Sequence, residues 1–211
     1  MCFSRAARNA ATDGPVGFVS DSERTRLTRT RWGGVAAVLA GISYGAAGYL
    51  DTPGVSGYAS VLVFVLSVTT PTFFFGGLLG LRALLAEVGS HIERIGFIVG
   101  CLGTALGGVE ALINAIGLEQ TFLGLMSIGF WWWAIFLVGL TLLGLAAMSS
   151  KAWRHLGALV LASSALGWVS LLTDPAFSGV LVPMRTVHVS FAVLFCISAI
   201  LWGWMLFRRV R

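Results

Sequence analysis

The sequence predicts an all-α integral membrane protein, a bundle of six transmembrane helices. The first observation is composition: 57% of the 211 residues are hydrophobic and only 11% are charged, whereas soluble domains carry about 25% charged residues. A chain this apolar has too little polar surface to cover a water-soluble fold, so the bilayer must act as its solvent. The second and third observations are six apolar runs and a one-sided distribution of basic residues.

Each apolar run is close to or longer than the roughly 20 residues that a helix needs to cross a bilayer. The predicted spans are residues 32–50, 57–85, 95–118, 122–148, 156–173 and 180–207. The second run contains Pro71, which removes a backbone donor and should kink its helix. Residues 1–31 contain no apolar core of a signal peptide and are predicted to form a mobile, basic cytoplasmic tail. Residues 208–211 are predicted to form a basic cytoplasmic end.

The basic residues predict the orientation of the bundle. Thirteen of the fourteen Lys and Arg residues fall on one side of the six predicted spans, and Arg185 is the exception. Cytoplasmic connections carry an excess of Lys and Arg, so both termini are predicted to be cytoplasmic. The net charge of +5 is therefore attributed to topology, and no nucleic-acid partner is predicted. The predicted partner is the lipid bilayer.

The third span has a face of glycines that also carries polar groups. In IGFIVGCLGTALGGVEALINAIGL, these residues alternate by four and three positions and therefore share one helical face. They are Gly96, Gly100, Gly103, Gly107, Glu110, Asn114 and Gly117. Small residues on a membrane helix let neighbouring backbones approach closely. The Glu110 carboxyl on the same face should therefore point towards protein and away from lipid.

These residues give the sequence hypothesis for a site. A charge at mid-membrane costs about 2.5–3.5 kcal/mol on insertion scales, and such groups are typical of functional sites. His188 and the run of three tryptophans lie at a depth similar to that of Glu110. We expect a polar pocket open to the outside, with Glu110 as the acid, His188 as its proton partner, Arg185 as a clamp for an anion or carboxylate, Asn114 nearby and Trp132 in an aromatic wall. A purely structural polar contact of Glu110 with His188, Ser or Thr accounts for the pattern equally well.

Neighbouring positions in the tryptophan run point about 100° apart on a helix. At most two of the three can line one pocket, and one or two should face lipid near the interface, where Trp is enriched.

From the sequence we predict no catalytic residue, no metal site and no cofactor. His188 has no second histidine at its depth to complete a bis-histidine haem, and the only lysine, Lys151, lies in a turn. The three cysteines form no CxxC motif. The phosphate-loop, GxSxG and HExxH patterns do not occur.

Three functional classes are left open. A small transporter or a ligand-binding, sensing membrane protein with an outward-facing polar site is slightly favoured. The alternatives are a structural or accessory subunit that packs against a larger membrane complex or a second copy through Gly-rich faces, and a membrane enzyme acting on a lipid or quinone-like substrate.

The starts of the predicted spans hint at an internal repeat. Spans one, three and five begin in similar ways (RWGG, RIG and RHLG), so the chain is either three helical-hairpin repeats of one orientation or six spans with ordinary basic starts.

Two stretches of the chain resemble uncharacterised multi-spanning proteins of actinobacteria and their relatives. They are GLLGLRALLAEVGSHIERIGFIVGCLGTALGG and RWGGVAAVLAGISYGAAGYL. The resemblance covers about the first half of the chain and implies a bacterial plasma (inner) membrane protein. It carries no activity and no functional residues.

Overall fold

The computed structural model describes residues 21–50, 59–115, 128–174 and 183–208. Side chains are described within these ranges except at residues 48–50, 59–60, 114–115 and 183–187. The described chain forms six helices and contains no strand. They are α1 (Asp21–Leu50), α2 (Ala59–Leu85), α3 (His91–Ala115), α4 (Ile128–Ser149), α5 (Arg154–Leu172) and α6 (Pro183–Arg208). The all-α fold class is therefore confirmed.

Five of these helices are long and apolar enough to cross a membrane. The apolar segments are Val61–Leu85, His91–Ile113, Ile128–Ser149, Arg154–Leu172 and His188–Arg208. A sixth span at residues 32–50 stays a prediction, as do the position of the termini and the hairpin repeats. α1 begins at Asp21, well before that predicted span, and its first turn carries Asp21 and Glu23. Acidic groups there interact favourably with the helix dipole.

The six described helices form a closed ring in chain order. Each packs against the next one along the chain, and α6 packs against α1. α2 makes additional, smaller contacts with α4 and α6. The α2–α3 connection contains Gly89 with a φ of 61°, a left-handed conformation that glycine adopts without steric penalty. Short connections of this kind place consecutive helices antiparallel.

Aromatic side chains fill the interior of the ring. Phe74, Phe136 and Phe195 are 1%, 0% and 1% exposed, and they come from α2, α4 and α6 respectively. The Trp133 ring lies 5.7 Å from Phe74 and 5.5 Å from Phe195, both edge-on. Edge-to-face pairs of this geometry add about 0.5–1.5 kcal/mol each beyond the area they bury. Large apolar residues such as Ile98, by contrast, point outward, as a bilayer environment requires.

Four pairs of the described helices approach so closely that only glycine fits at the contact. The pairs are α1–α2 at Gly33 and Gly80, α3–α4 at Gly100 and Gly139, α1–α6 at Gly34 and Gly203, and α4–α5 at Gly157. A Cβ added at Gly34 would lie 2.6 Å from the carbonyl oxygen of Gly203, closer than real Cβ contacts. The glycine faces predicted from the sequence thus pack helix against helix within the chain.

The charged residues divide the bundle into two ends. Every Lys and Arg whose side chain the structure describes lies at the end formed by the start of α1, the α2–α3 turn, the α4–α5 turn and the end of α6. These residues are Arg24, Arg26, Arg29, Arg31, Arg82, Arg94, Lys151, Arg154 and Arg208. We call this the basic end. There, Arg26 of α1 forms an ion pair with Glu87, just after α2.

Replacing Gly103 with Ala tests the close contact of α3 with α4. The added Cβ would lie 2.5 Å from the backbone nitrogen of Phe136, and such overpacking typically destabilises by about 1–3 kcal/mol. Gly108→Ala in the same helix is the matched control, because a Cβ there meets nothing within 4 Å. We expect a lower thermal unfolding midpoint in detergent for Gly103→Ala and an unchanged or slightly higher one for Gly108→Ala. Equal midpoints for the two variants would contradict the packing described.

Candidate functional site

A partly open cavity of about 270 Å³ lies at the end of the bundle opposite the basic end. Residues of α1, α2, α3 and α4 line it, together with Asp174 just after α5. The polar and aromatic lining residues are Tyr44, Ser67, Thr70, Glu110, Trp132, Trp133 and Asp174. This is the candidate site, and it contains two carboxyl groups beside three aromatic rings.

The packing of α3 brings Glu110 to this cavity. Gly96 and Gly103 lie against Leu142 and Phe136 of α4, and Gly107 lies against Trp132 and Pro71. Because Glu110 follows Gly107 by three positions, it continues the same face towards the cavity. The side chain is partly buried, and it shares a hydrogen bond with Trp132. The indole N–H can only donate, so the carboxyl oxygen accepts this bond.

The three consecutive tryptophans divide as helical geometry requires. Trp131 is 51% exposed and points outward, whereas Trp132 is 6% exposed. Trp132 and Trp133 both line the cavity, with their ring centroids 4.3 Å apart. The expectation that at least one tryptophan faces away from the protein is confirmed by the exposure of Trp131.

A hydrogen-bonded chain of polar side chains lies beside the cavity. The Nδ1 atom of His188 lies 2.8 Å from the backbone carbonyl oxygen of Ser170 and 3.4 Å from the Ser170 hydroxyl. The Tyr44 hydroxyl is hydrogen-bonded to the Ser170 side chain. His188 is not among the described residues that line the cavity. In the structure its hydrogen-bond partner is Ser170 of α5, whereas the sequence hypothesis gives Glu110 as its partner.

The other two predicted site residues lie outside the described side chains. The backbone of Asn114 is in the last turn of α3 and that of Arg185 is in the first turn of α6. Their proposed roles beside Glu110 therefore stay predictions.

Sequence reasoning did not select Tyr44, Thr70 or Asp174 as site residues. Tyr44 lies among small residues of α1, and Asp174 follows the last turn of α5. Thr70 precedes Pro71 and donates hydrogen bonds to the Ser43 hydroxyl at 3.0 Å and to the Leu66 carbonyl at 2.7 Å. A large polar side chain in a Gly-rich stretch was the signal for Tyr44. No signal in the sequence shows that α1 and α5 meet at this cavity.

The described side chains of the site are those of a polar pocket and do not form a set of metal ligands. Among the residues that the structure describes, no group of three or more His, Cys, Asp or Glu side chains could hold a metal ion. What the arrangement offers is carboxylate oxygens, hydroxyl groups and the faces of aromatic rings.

An all-helical bundle with five helices able to cross a membrane defines the class as a multi-pass membrane protein. Comparison of the chain with models of protein families, with curated proteins and with solved structures finds no match.

Water access to the cavity is tested by placing a cysteine at position 110. With Cys2, Cys101 and Cys196 replaced by alanine, Glu110→Cys should react with a membrane-impermeant maleimide applied to both sides of the membrane. Val109→Cys is the control, because Val109 is 46% exposed on the outer surface of the bundle and a thiol facing hydrocarbon forms little reactive thiolate. Complete protection of position 110 would show that the cavity is closed to water.

The hydrogen bond of His188 predicts its tautomer. A backbone carbonyl only accepts hydrogen bonds, so the neutral ring must carry its proton on Nδ1, which leaves Nε2 as an acceptor. Nitrogen-15 NMR of histidine-labelled protein should show a protonated Nδ1, and the signal is assigned by its loss in His188→Gln. A proton on Nε2 of the neutral ring would contradict the geometry.

Proposed function

We propose that the protein binds a small organic cation in the cavity beside Glu110, as a transporter or a sensor of that ligand. The observation that carries the proposal is the lining of the cavity. Among its described lining residues, the groups that can carry charge near neutral pH are Glu110 and Asp174, and neither Lys, Arg nor His is present. The sequence hypothesis of an anion clamp at Arg185 is not part of this proposal.

The aromatic rings favour a cation with an apolar body. Tyr44, Trp132 and Trp133 surround the same space as the two carboxyl groups. A cation over an aromatic face gains about 0.5–2 kcal/mol, with the higher values where water is excluded. A carboxylate adds a charged partner whose own desolvation is offset by the bound cation. Together these groups recognise a substituted ammonium better than a sugar or an anion.

The size of the cavity limits the ligand. A volume of about 270 Å³ falls just below the roughly 300–1,000 Å³ typical of pockets for drug-sized ligands. At about 30 Å³ per water molecule, it holds roughly nine waters. A ligand with only a few heavy atoms is therefore the best fit.

The orientation of the bundle supports uptake from outside the cell. The described basic residues gather at the end opposite the cavity, and the positive-inside rule assigns such an end to the cytoplasm. With α1 as a sixth span, both termini are cytoplasmic and the cavity faces outward. The resemblance of the first half of the chain to actinobacterial membrane proteins favours a bacterial plasma membrane as the location.

The packing of the glycines gives less support to an accessory subunit. That alternative needs a seam of small residues free to bind a partner. Gly33, Gly34, Gly96, Gly103 and Gly139 instead meet other helices of this chain. A partner would then have to bind through larger side chains.

Tetramethylammonium is the probe that tests the proposal, and tert-butanol is its neutral analogue of similar shape. Detergent-solubilised protein should bind tetramethylammonium by calorimetry and should not bind tert-butanol. Glu110→Gln should weaken binding by about tenfold or more, as expected for loss of a charged partner worth about 1.5–3 kcal/mol. Glu23→Gln, the same substitution in the exposed first turn of α1, is the control.

Two outcomes would overturn the proposal. One is equal binding of the cation and the neutral analogue. The other is unchanged cation affinity in Glu110→Gln with a thermal unfolding midpoint like that of the unaltered protein.

A further inference from the structure

A second cavity lies between α1 and α2 at the basic end, remote from Glu110. Its volume is about 890 Å³, and it is open along the outer surface of the bundle. Arg29 and Arg82 line its charged part, and Trp32, Ala36 and Leu79 line its apolar part. Neither Asp nor Glu is among its described lining residues.

Two groups of α3 lie against the Arg82 side chain. Its guanidinium lies over the Phe97 ring, 4.2 Å from the centroid. Its Nε atom is 3.9 Å from the carboxyl oxygen of Glu93, which is 3% exposed. The ring and the carboxylate orient the guanidinium from α3, while about half of the Arg82 side chain stays exposed at the cavity.

Arg29 provides a second positive charge from the opposite helix. Its side chain is exposed, and it lies one helical turn before the Trp32–Gly33 pair that begins the apolar part of the cavity. The nearby acid Glu87 is already paired with Arg26. The cavity therefore has two cations of α1 and α2 facing one opening.

Below the arginines the surface is apolar and made of small side chains. Gly33, Ala36 and Gly76 form the floor between the helices, and Leu79 is 42% exposed beside it. Trp32 is 67% exposed at the boundary, a position that tryptophan favours between headgroups and hydrocarbon. Narrow side chains there leave room for a hydrocarbon chain lying along the helix pair.

We propose that this cavity is a binding site for an anionic phospholipid. The phosphate lies between Arg29 and Arg82, and one acyl chain follows the small-residue floor towards Gly76. Guanidinium groups bind phosphate oxygens through paired, charge-assisted hydrogen bonds. A zwitterionic lipid brings its own cation close to the two arginines, so the site selects lipids of net negative charge.

The test uses the full-length protein in detergent, titrated with dioleoyl phosphatidylglycerol or dioleoyl phosphatidylcholine. A ligand that binds the folded state raises the unfolding midpoint, and at a given concentration a tighter ligand raises it more. Phosphatidylglycerol should raise the midpoint more than phosphatidylcholine. Arg29→Gln should reduce the apparent affinity for phosphatidylglycerol by roughly three- to tenfold, the loss of one exposed charge-assisted contact.

Arg154→Gln is the control, because it removes the same exposed charge from the basic end at α5, away from the cavity. It should keep the affinity of the unaltered protein. Arg82→Lys keeps the charge but removes the paired donors, and it should weaken phosphatidylglycerol binding without abolishing it.

Three results would contradict the proposed phospholipid site. They are equal midpoint shifts with the two lipids, equal losses in Arg29→Gln and Arg154→Gln, and an equal shift with inorganic phosphate alone, which would assign the arginines to a soluble phosphate ligand.

Discussion

The contact between the backbones of α3 and α4 determines which way the Glu110 side chain faces. In a bilayer, lipid tails are as apolar as leucine, so helix association depends on close van der Waals contact. The glycines on α3 provide that contact: Gly96 meets Leu142 and Gly139, and Gly103 meets the backbone of Phe136. This contact fixes the rotation of α3 about its own axis. With the rotation fixed, Glu110 has to face the interior, next to Trp132.

Polar side chains around the cavity form hydrogen bonds with one another, and Glu110 has more acceptor sites than the one bond found for it. Ser170 binds both Tyr44 and His188, and Thr70 binds Ser43. Polar groups in a low-dielectric interior need such partners, because an unpaired one costs free energy. Glu110 accepts from Trp132, yet an ionised carboxylate has about four acceptor sites. Glu110 lines the cavity, and the proposed binding of a cation would use the acceptor sites that remain.

The sequence predicts what depends on local periodicity and on depth along a helix. The all-α class and the glycine face of α3 depend on spacing within one segment, and the gathering of basic residues at one end depends on the order of the spans. The structure agrees with each for the residues it describes. Depth along the helix predicts His188 near the layer of Glu110, and in the structure it is linked through Ser170 to Tyr44 of the cavity lining. Its partner is Ser170, however, since depth says nothing about which helix lies next to which.

Contacts between segments remote in the chain are the part that the sequence leaves undetermined. Tyr44 and Asp174 line one cavity, although more than a hundred residues separate them. They meet because α1 packs on α6 and α6 packs on α5. Ring closure of this kind depends on shape complementarity over the whole bundle, and no short stretch of residues records it.

The seam between the first and last helices has a consequence for biosynthesis. Gly34 on α1 rests against the carbonyl oxygen of Gly203, and Gly41 rests against that of Cys196. Gly203 and Cys196 belong to the last described helix, so α1 has no partner at this seam until the other five helices have been synthesised. α6 is the helix that packs on both α5 and α1, so a chain interrupted before α6 lacks the contact that closes the ring.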